Sequence, residues 1–276
     1  MTADVKALEK KAVELRKRTF QLVYEGKTGH TGSDLSCADI LTALYFQVLN
    51  VDAKNPENPN RDRYIQSKGH AVEILWTTLA AKGFIDEAEL NTFSQFKSRL
   101  IGHPNNQVDG IEMNTGSLGH GLAVSTGIAL AGKMDQKNYK TYTLMGDGEL
   151  AEGSVWEAAM AAANYKLKNL TAIIDHNGLQ ISGKTVDVMN SEPLKEKWQA
   201  FGWHVIEVDG NNMAELLAAF DSDENGEKPK MIIANTIKGK GVSFAENQAG
   251  WHHKVPTDEQ YQQAMAEFDQ QLEALK

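Results

Sequence analysis

A chain of 276 residues, 41% apolar and 24% charged, is long enough to bury one sizeable core and has the composition of an ordinary globular protein. Its formal net charge of −9 disfavours nucleic acid and anionic membrane as partners. The single cysteine, Cys37, excludes an internal disulfide and a cysteine-based zinc site and fits a reducing, cytoplasmic setting.

The pattern along the chain predicts alternating helices and strands. Residues 4–25 read as a helix with Val5, Leu8, Ala12, Leu15, Leu22 and Val23 in a partial stripe. Asp34 is placed to cap a helix running to Leu49, followed by a polar Asn/Pro loop over 55–60. A short strand at 64–67, helices at 71–82 and 86–96, and a small-residue helix at 119–132 come next. The apolar run 122–131 is about half a membrane span, and the basic N-terminal stretch is interrupted by Glu9 and Glu14, unlike a signal peptide. The chain therefore reads as soluble.

Beyond these lie a strand at 141–145, a helix at 154–165 and a strand at 171–175. A helix at 192–201, a strand at 204–208, a helix at 213–220, a charged loop at 221–230 and a buried strand at 231–236 complete the pattern. The order implies one α/β domain over residues 1–276, doubly wound, with a mainly parallel sheet flanked by helices.

The run Gly146-Asp147-Gly148, followed one helix and one strand later by His176-Asn177-Gly178, carries the chemistry. In a strand–turn–helix–strand unit both loops reach the same sheet edge, where open α/β folds bind ligands. Glycines let backbone N–H groups approach a diphosphate, which a nearby helix N-terminus also favours. A hard divalent cation bridging that diphosphate needs oxygen ligands. The Asp147 carboxylate, the Asn177 amide oxygen and the Leu179 carbonyl offer three, and phosphate oxygens and water complete an octahedron. That set suits Mg²⁺ and tolerates Ca²⁺ or Mn²⁺. No Walker-type Gly-Lys-Ser/Thr loop supports a nucleotide-binding module.

This pair of turns resembles the thiamine diphosphate fingerprint, with His176 where the general pattern has its first Asn. Further runs resemble transketolases in particular: Gly29-His30 with Ser33, Ser67-Lys68-Gly69-His70-Ala71, Gly102-His103-Pro104 and Gly116-Ser117-Leu118-Gly119-His120-Gly121. Near the end come Lys238-Gly239-Lys240-Gly241 and Trp251-His252. These landmarks span about residues 10 to 260. They cover only the diphosphate-binding part of a transketolase, so the chain resembles the N-terminal subunit of a split enzyme. The resemblance implies a partner chain bearing the pyrimidine-binding and C-terminal domains, and a heterotetramer of two copies of each.

The reaction so implied moves a two-carbon ketol unit from a ketose to an aldose, free or phosphorylated, with the cofactor as electron sink. His70, Gly116, Ser117, Leu118, Gly146, Asp147, Gly148, Asn177, Lys238 and His252 correspond to cofactor contacts. Asp147, Asn177 and Leu179 correspond to the metal ligands. His30, Ser33, His103 and His252 face the sugar, and His30, His103, His252 and Glu152 are the catalytic candidates. Glu152, and less directly Glu157, match an acid network between active sites.

Lys68 and Lys238 either face phosphate or are solvated surface lysines. His253 is an alternative to His252, His120 is structural or a weak specificity contact, and His176 and His204 read as structural. Thr31, where the family commonly has Pro, implies a differently shaped sugar loop. Two thiamine-dependent alternatives share the fingerprint: a 2-oxoacid dehydrogenase alpha chain and a deoxyxylulose-phosphate synthase-like protein. A non-catalytic relative would have lost Asp147 or Asn177, and both are present.

Overall fold

The computed structural model describes residues 4–224 and 226–276; Asn225, inside the expected charged loop, and residues 1–3 of the expected domain lie outside them. Five parallel strands make one sheet. They are β1 (Arg63–Gln66), β2 (Thr141–Gly146), β3 (Leu170–His176), β6 (His204–Asp209) and β7 (Lys230–Asn235), in the order β1-β2-β3-β7-β6. A two-residue hairpin, β4 (Leu179–Gln180) with β5 (Gly183–Lys184), follows β3.

Strand side chains alternate between faces with period two, and this splits the core into two layers. Tyr64, Tyr142, Leu144, Ile173, Ile232 and Ala234 face one cluster, which contains α1 (Val5–Gly26), α3 (Ala38–Ala43), α4 (Glu73–Lys82) and α9 (Met213–Asp221). Met145, Leu170, Ala172, Ile174, Met231 and Ile233 face the other, covered by α5 (Gly121–Met134), α6 (Gly153–Asn164) and α8 (Leu194–Ala200). Helices on both faces explain why the strands read as nearly continuous apolar runs. The doubly wound reading holds. Among the described residues no helix is long and apolar enough to cross a membrane.

Several expectations need correction. The single helix expected from Asp34 to Leu49 is three pieces: α2 (Thr31–Ser36), α3 and a π-turn at Leu44–Val48, with Cys37 in non-helical geometry between the first two. Asp34 caps none of them. It lies inside α2, fully buried, and its carboxylate instead accepts the Ile74 N–H of α4 at 3.1 Å. The helix expected at 86–96 is a 3₁₀ turn, Glu87–Thr92, with Asp86 as its cap, and the chain then bends through positive φ at Ser94 and Lys97.

Two helices were not anticipated. One is α7 (Thr185–Val188), and the other is α10 (Asp258–Ala274), opened by a Thr257/Gln260 capping box. The apolar residues of α10 (Tyr261, Ala264, Met265, Phe268, Leu272) recur at helical spacing on a polar background. Ala264 and Phe268 bury against α1, with Phe268 edge-on to Phe20 at 6.1 Å.

Candidate functional site

Strands β2, β3 and β7 end in step, with Gly146 beside Asp175 and Asp175 beside Ala234. Parallel strands point all their C-terminal ends one way, so the loops leaving β1, β2, β3 and β7 converge on one edge. The turn after β2 runs into a short 3₁₀ segment, Gly148–Ala151, and only then into α6. Asp147 is 4% exposed and links two loops, accepting the Gly148 N–H at 2.8 Å and the Gly178 N–H at 2.5 Å. Gly178 has φ +73, and nothing lies within 4 Å of where a Cβ would stand, so backbone conformation alone selects glycine there.

Asn177 is oriented by its neighbours. Its Nδ2 donates to Asp175 at 3.3 Å and its Oδ1 accepts the Leu179 N–H at 3.1 Å. Asp175 is fully buried and is the hub beneath the site. It accepts from Ser36 Oγ at 2.6 Å and from Thr236 Oγ1, and it pairs with Lys68 Nζ, which also donates to the Ser33 carbonyl at 3.0 Å. Burial alone raises the Asp175 pKa, but Lys68 and the donor hydrogen bonds outweigh it and hold the carboxyl below its usual range. Lys68 is therefore neither solvated nor free to follow a phosphate.

Lys238 is different. It is 1% exposed and forms no ion pair among the described residues; its Nζ lies 3.1 Å from His252 Nδ1 and 3.4 Å from both Ser33 Oγ and the Leu179 carbonyl. Burial, then the charge of Lys68, pulls its pKa down to about 8.

The histidines lie close together. The His30 ring lies 5.1 Å from His70, 6.4 Å from His103, 5.6 Å from His252 and 4.6 Å from His253, and His70 stacks on His252 at 5.2 Å. Loop packing holds them. Gly116 has φ +137, and a Cβ there would lie 2.7 Å from the His103 ring. Thr31, the departure from the family pattern, donates to the Lys254 carbonyl at 2.7 Å and so ties the His30 turn to the His252–His253 turn. His70 Nε2 meets Ser33 Oγ at 3.3 Å.

Burial, then neighbouring His253 and His103, lowers His30 to about 4; burial, then Lys238 and His30, lowers His252 to about 3. Burial and Lys68 push His70 well down, and burial lowers His103. All four are thus neutral near pH 7, each able to donate and accept. The Cε1–H resonances of His30 and His252 are expected to stay in the neutral-imidazole range from pH 8 to pH 5; a midpoint near the ordinary 6.5 would contradict this. Because unfolding restores the ordinary pKa of 6.5, the unfolded chain takes up protons first. These groups therefore stabilise the fold above pH 6.5, and His30 loses that contribution as pH falls from there through about 4.

Other sites fall into place or stand apart. Ser117 is exposed, 3.4 Å from His120 Nδ1, and Leu118 is half-buried. Glu152 and Glu157 are exposed on the start of α6. His176 bridges Asn235 and Glu192 at the end of β3.

The sequence reading missed Glu149, which is 3% exposed and knits three site loops. It accepts from Gly119 N at 2.8 Å, Gly146 N at 3.1 Å and Ser67 Oγ. An acid directly after a Gly-Asp-Gly turn was its only signal.

The residues fit a metal-bound diphosphate. Asp147 is a buried carboxylate without an ion-pair partner among the described residues, its pKa raised by burial and by Asp175, a penalty that a cation would reverse. Lys238 is a buried ammonium with no ion-pair partner among the described residues, a penalty that an anion would reverse. One carboxylate, one amide and one carbonyl need phosphate oxygens to complete a cation site, and among the described residues no cluster of three or more His, Cys, Asp or Glu could hold a metal alone.

A parallel sheet with these loops at its edge defines the thiamine diphosphate-binding α/β fold. Residues 8–271 match the family model described as transketolase, thiamine diphosphate binding domain, and the chain belongs to that family. It is 52% identical over 274 residues to an apulose-4-phosphate transketolase subunit of Phocaeicola vulgatus, covering 99% of this chain and 98% of that one. It is 41% identical over 266 residues to the 6-deoxy-6-sulfo-D-fructose transketolase subunit SqwG of Clostridium sp. strain MSTE9, covering 96% and 97%. The solved transketolase from Campylobacter jejuni superposes with a TM-score of 0.86 at 30% identity; the match covers 99% of this chain and 48% of that one. The chain thus spans about half of that solved transketolase.

Proposed function

We propose that this chain is the diphosphate-binding subunit of a two-chain transketolase that transfers a two-carbon ketol unit from a ketose to an aldose. The observation that carries the reading is the buried couple of Asp147 and Lys238, neither in an ion pair among the described residues, at one loop cluster with four neutral histidines. Asp147, Asn177 and the Leu179 carbonyl hold Mg²⁺, for which Ca²⁺ or Mn²⁺ substitutes. Lys238, His70 and the backbone of Gly116–Leu118 and Gly146–Gly148 take up the diphosphate. When bound, thiamine diphosphate supplies the electron sink for breaking a carbon–carbon bond next to a carbonyl.

The chain's own residues bind and shuttle protons. His30, His103 and His252, neutral and half-buried, donate to and accept from sugar hydroxyls, and Ser33 adds a hydroxyl at the floor. Because each starts uncharged, it can take a proton from one hydroxyl and return it without a standing charge in the pocket.

Two relatives matched over nearly their full length bear the names of transketolase subunits, which supports a separate partner chain. In this proposal the partner carries the pyrimidine-binding and C-terminal domains, and two copies of each chain form a heterotetramer. Exposed apolar side chains support a docking face on this side: Met160 at 54% on the helix that carries Glu157, and Ile181 at 70% in the hairpin after Asn177. Glu152 and Glu157 then meet the acid network of the partner and neighbouring active site. The 52% identity to the Phocaeicola vulgatus protein favours a branched ketose phosphate, apulose 4-phosphate, as donor. Pentose phosphates and a sulfonated hexose are the comparison donors.

Purified chain alone is expected to give no ketol transfer with any of these donors, and addition of a chain bearing the pyrimidine-binding and C-terminal domains is expected to restore turnover. Robust turnover by the chain alone would refute the two-chain reading. Turnover of the pair with pyruvate, but not with ketoses, would favour the other thiamine-dependent classes.

A further inference from the structure

Two acids lie buried against each other beneath the histidine cluster, and neither belongs to the diphosphate site. Asp34, inside α2, is fully buried, and Glu73, the first residue of α4, is 1% exposed. One oxygen of Asp34 accepts the Ile74 N–H at 3.1 Å. The remaining oxygens, Asp34 Oδ2 and Glu73 Oε2, have no donor among the described residues, although the two side chains are in hydrogen-bonding contact. Glu73 Oε1 packs against the Gly29–His30 turn, 3.1 Å from where a Gly29 Cβ would stand, and faces the His30 backbone N–H.

Two touching carboxylates in a dry interior cannot both be charged without a cation to offset them. Among the described residues the surrounding elements supply none that is free. Lys68, from the loop after β1, is committed to Asp175, and Arg16 of α1 is committed to Asp39. The other titratable neighbours, the Cys37 thiol and the imidazoles of His30 and His70, are neutral.

We propose that Asp34 and Glu73 share a single proton in a carboxyl–carboxylate hydrogen bond, and that this bridge positions the His30 turn against the His70 turn. The proton satisfies both orphaned oxygens. The one remaining negative charge sits at the N-terminus of α4, where orphan N–H groups accept it. The bridge joins α2, whose cap residue is His30, to α4, which begins three residues after His70. The positioning role rests on the reading of His30 and His70 given above; the shared proton does not.

Burial, the largest influence, raises Glu73 to about 7. Burial and then Glu73 likewise hold Asp34 well above its ordinary range. Unfolding returns Glu73 to the ordinary value of 4.5, so at that carboxyl the folded chain holds an extra proton between these limits. The pair therefore contributes fully only below 4.5 and loses that contribution as pH rises from there through about 7.

The test is thermal unfolding of the full chain at pH 5 and pH 8, with Glu73→Gln and Asp34→Asn as variants. An amide keeps the hydrogen bond and removes the second charge. Either variant is expected to raise Tm at pH 8 by about 5 °C relative to wild type, with little change at pH 5. Equal loss of Tm at both pH values in both variants would overturn the shared proton.

Positioning is read separately by NMR of the ring protons of His30 and His70. A small step in their shifts, far short of the change on imidazole protonation, with a midpoint near pH 7 is expected in wild type and absent in Glu73→Gln; a step that is missing, or that persists in the variant, overturns the positioning role. Calorimetry with Mg²⁺ and thiamine diphosphate tests the site reading on its own: loss of cofactor uptake would sink that reading while leaving the unfolding result intact.

Discussion

Replacing Asp147 by Ala is expected to weaken magnesium-dependent uptake of thiamine diphosphate by at least about 100-fold in the reconstituted complex, or about 2.7 kcal/mol. Two losses combine. On the proposed reading the carboxylate is the one anionic donor among the three that the chain offers the cation, the other two being a neutral amide and a carbonyl. It is also the hinge between the β2 and β3 loops, through the N–H groups of Gly148 and Gly178. Asp147→Asn separates the two effects: it keeps most of the hinge geometry and removes the charge. Isothermal titration with and without Mg²⁺ checks both variants. Undiminished uptake by Asp147→Ala would remove the central support for a metal-bridged diphosphate.

The second large effect is structural. Lys68→Met leaves Asp175 fully buried without its counter-ion, at a cost of about 3–5 kcal/mol and a Tm lower by about 10 °C. Asp175→Leu added to Lys68→Met is expected to recover much of the loss, since an apolar pair avoids the desolvation that the ion pair must offset.

The pH response distinguishes this from simple repacking. In the native chain the Asp175 pKa is held low, so its contribution is present above the ordinary carboxylate range and is lost as pH falls through the folded value. In Lys68→Met only the hydrogen bonds from Ser36, Thr236 and Asn177 remain to oppose burial, so that pKa is expected to rise and the variant to lose stability as pH rises. Unfolding curves from pH 4 to pH 8 check the reversal; parallel pH profiles for the two proteins would contradict it.

The strands were legible because β-branched and apolar runs between glycine turns leave little else to form, and because both faces of the sheet are covered. Helix α10 was not, since its stripe is thin and its stability comes from Phe268 meeting Phe20 some 250 residues away in the chain. Asp34 was misread for a related reason. An acid before an apolar run is the local signature of a cap, yet here it caps a different helix, α4, through Ile74. The Gly-Asp-Gly turn and the glycine–histidine loops were visible as residue types at recognisable places. Which lysine would be spent on Asp175 and which left facing the cleft was not, because Lys68 and Lys238 look alike in a string of letters.

By itself, then, the amino-acid order determined the alternation of strands and helices, the loops at the strand ends and the chemical types gathered there. Period-two and helical spacing are local properties, and glycine turns act within a few residues. Charge pairing is not local. Whether Asp175, Glu149, Asp34 and Glu73 are solvated, salt-bridged or sharing a proton depends on what the fold brings within about 4 Å of them and on how much water it removes. Only the tertiary structure decided that, by burying these four acids and pairing Asp175 alone among them with a cation.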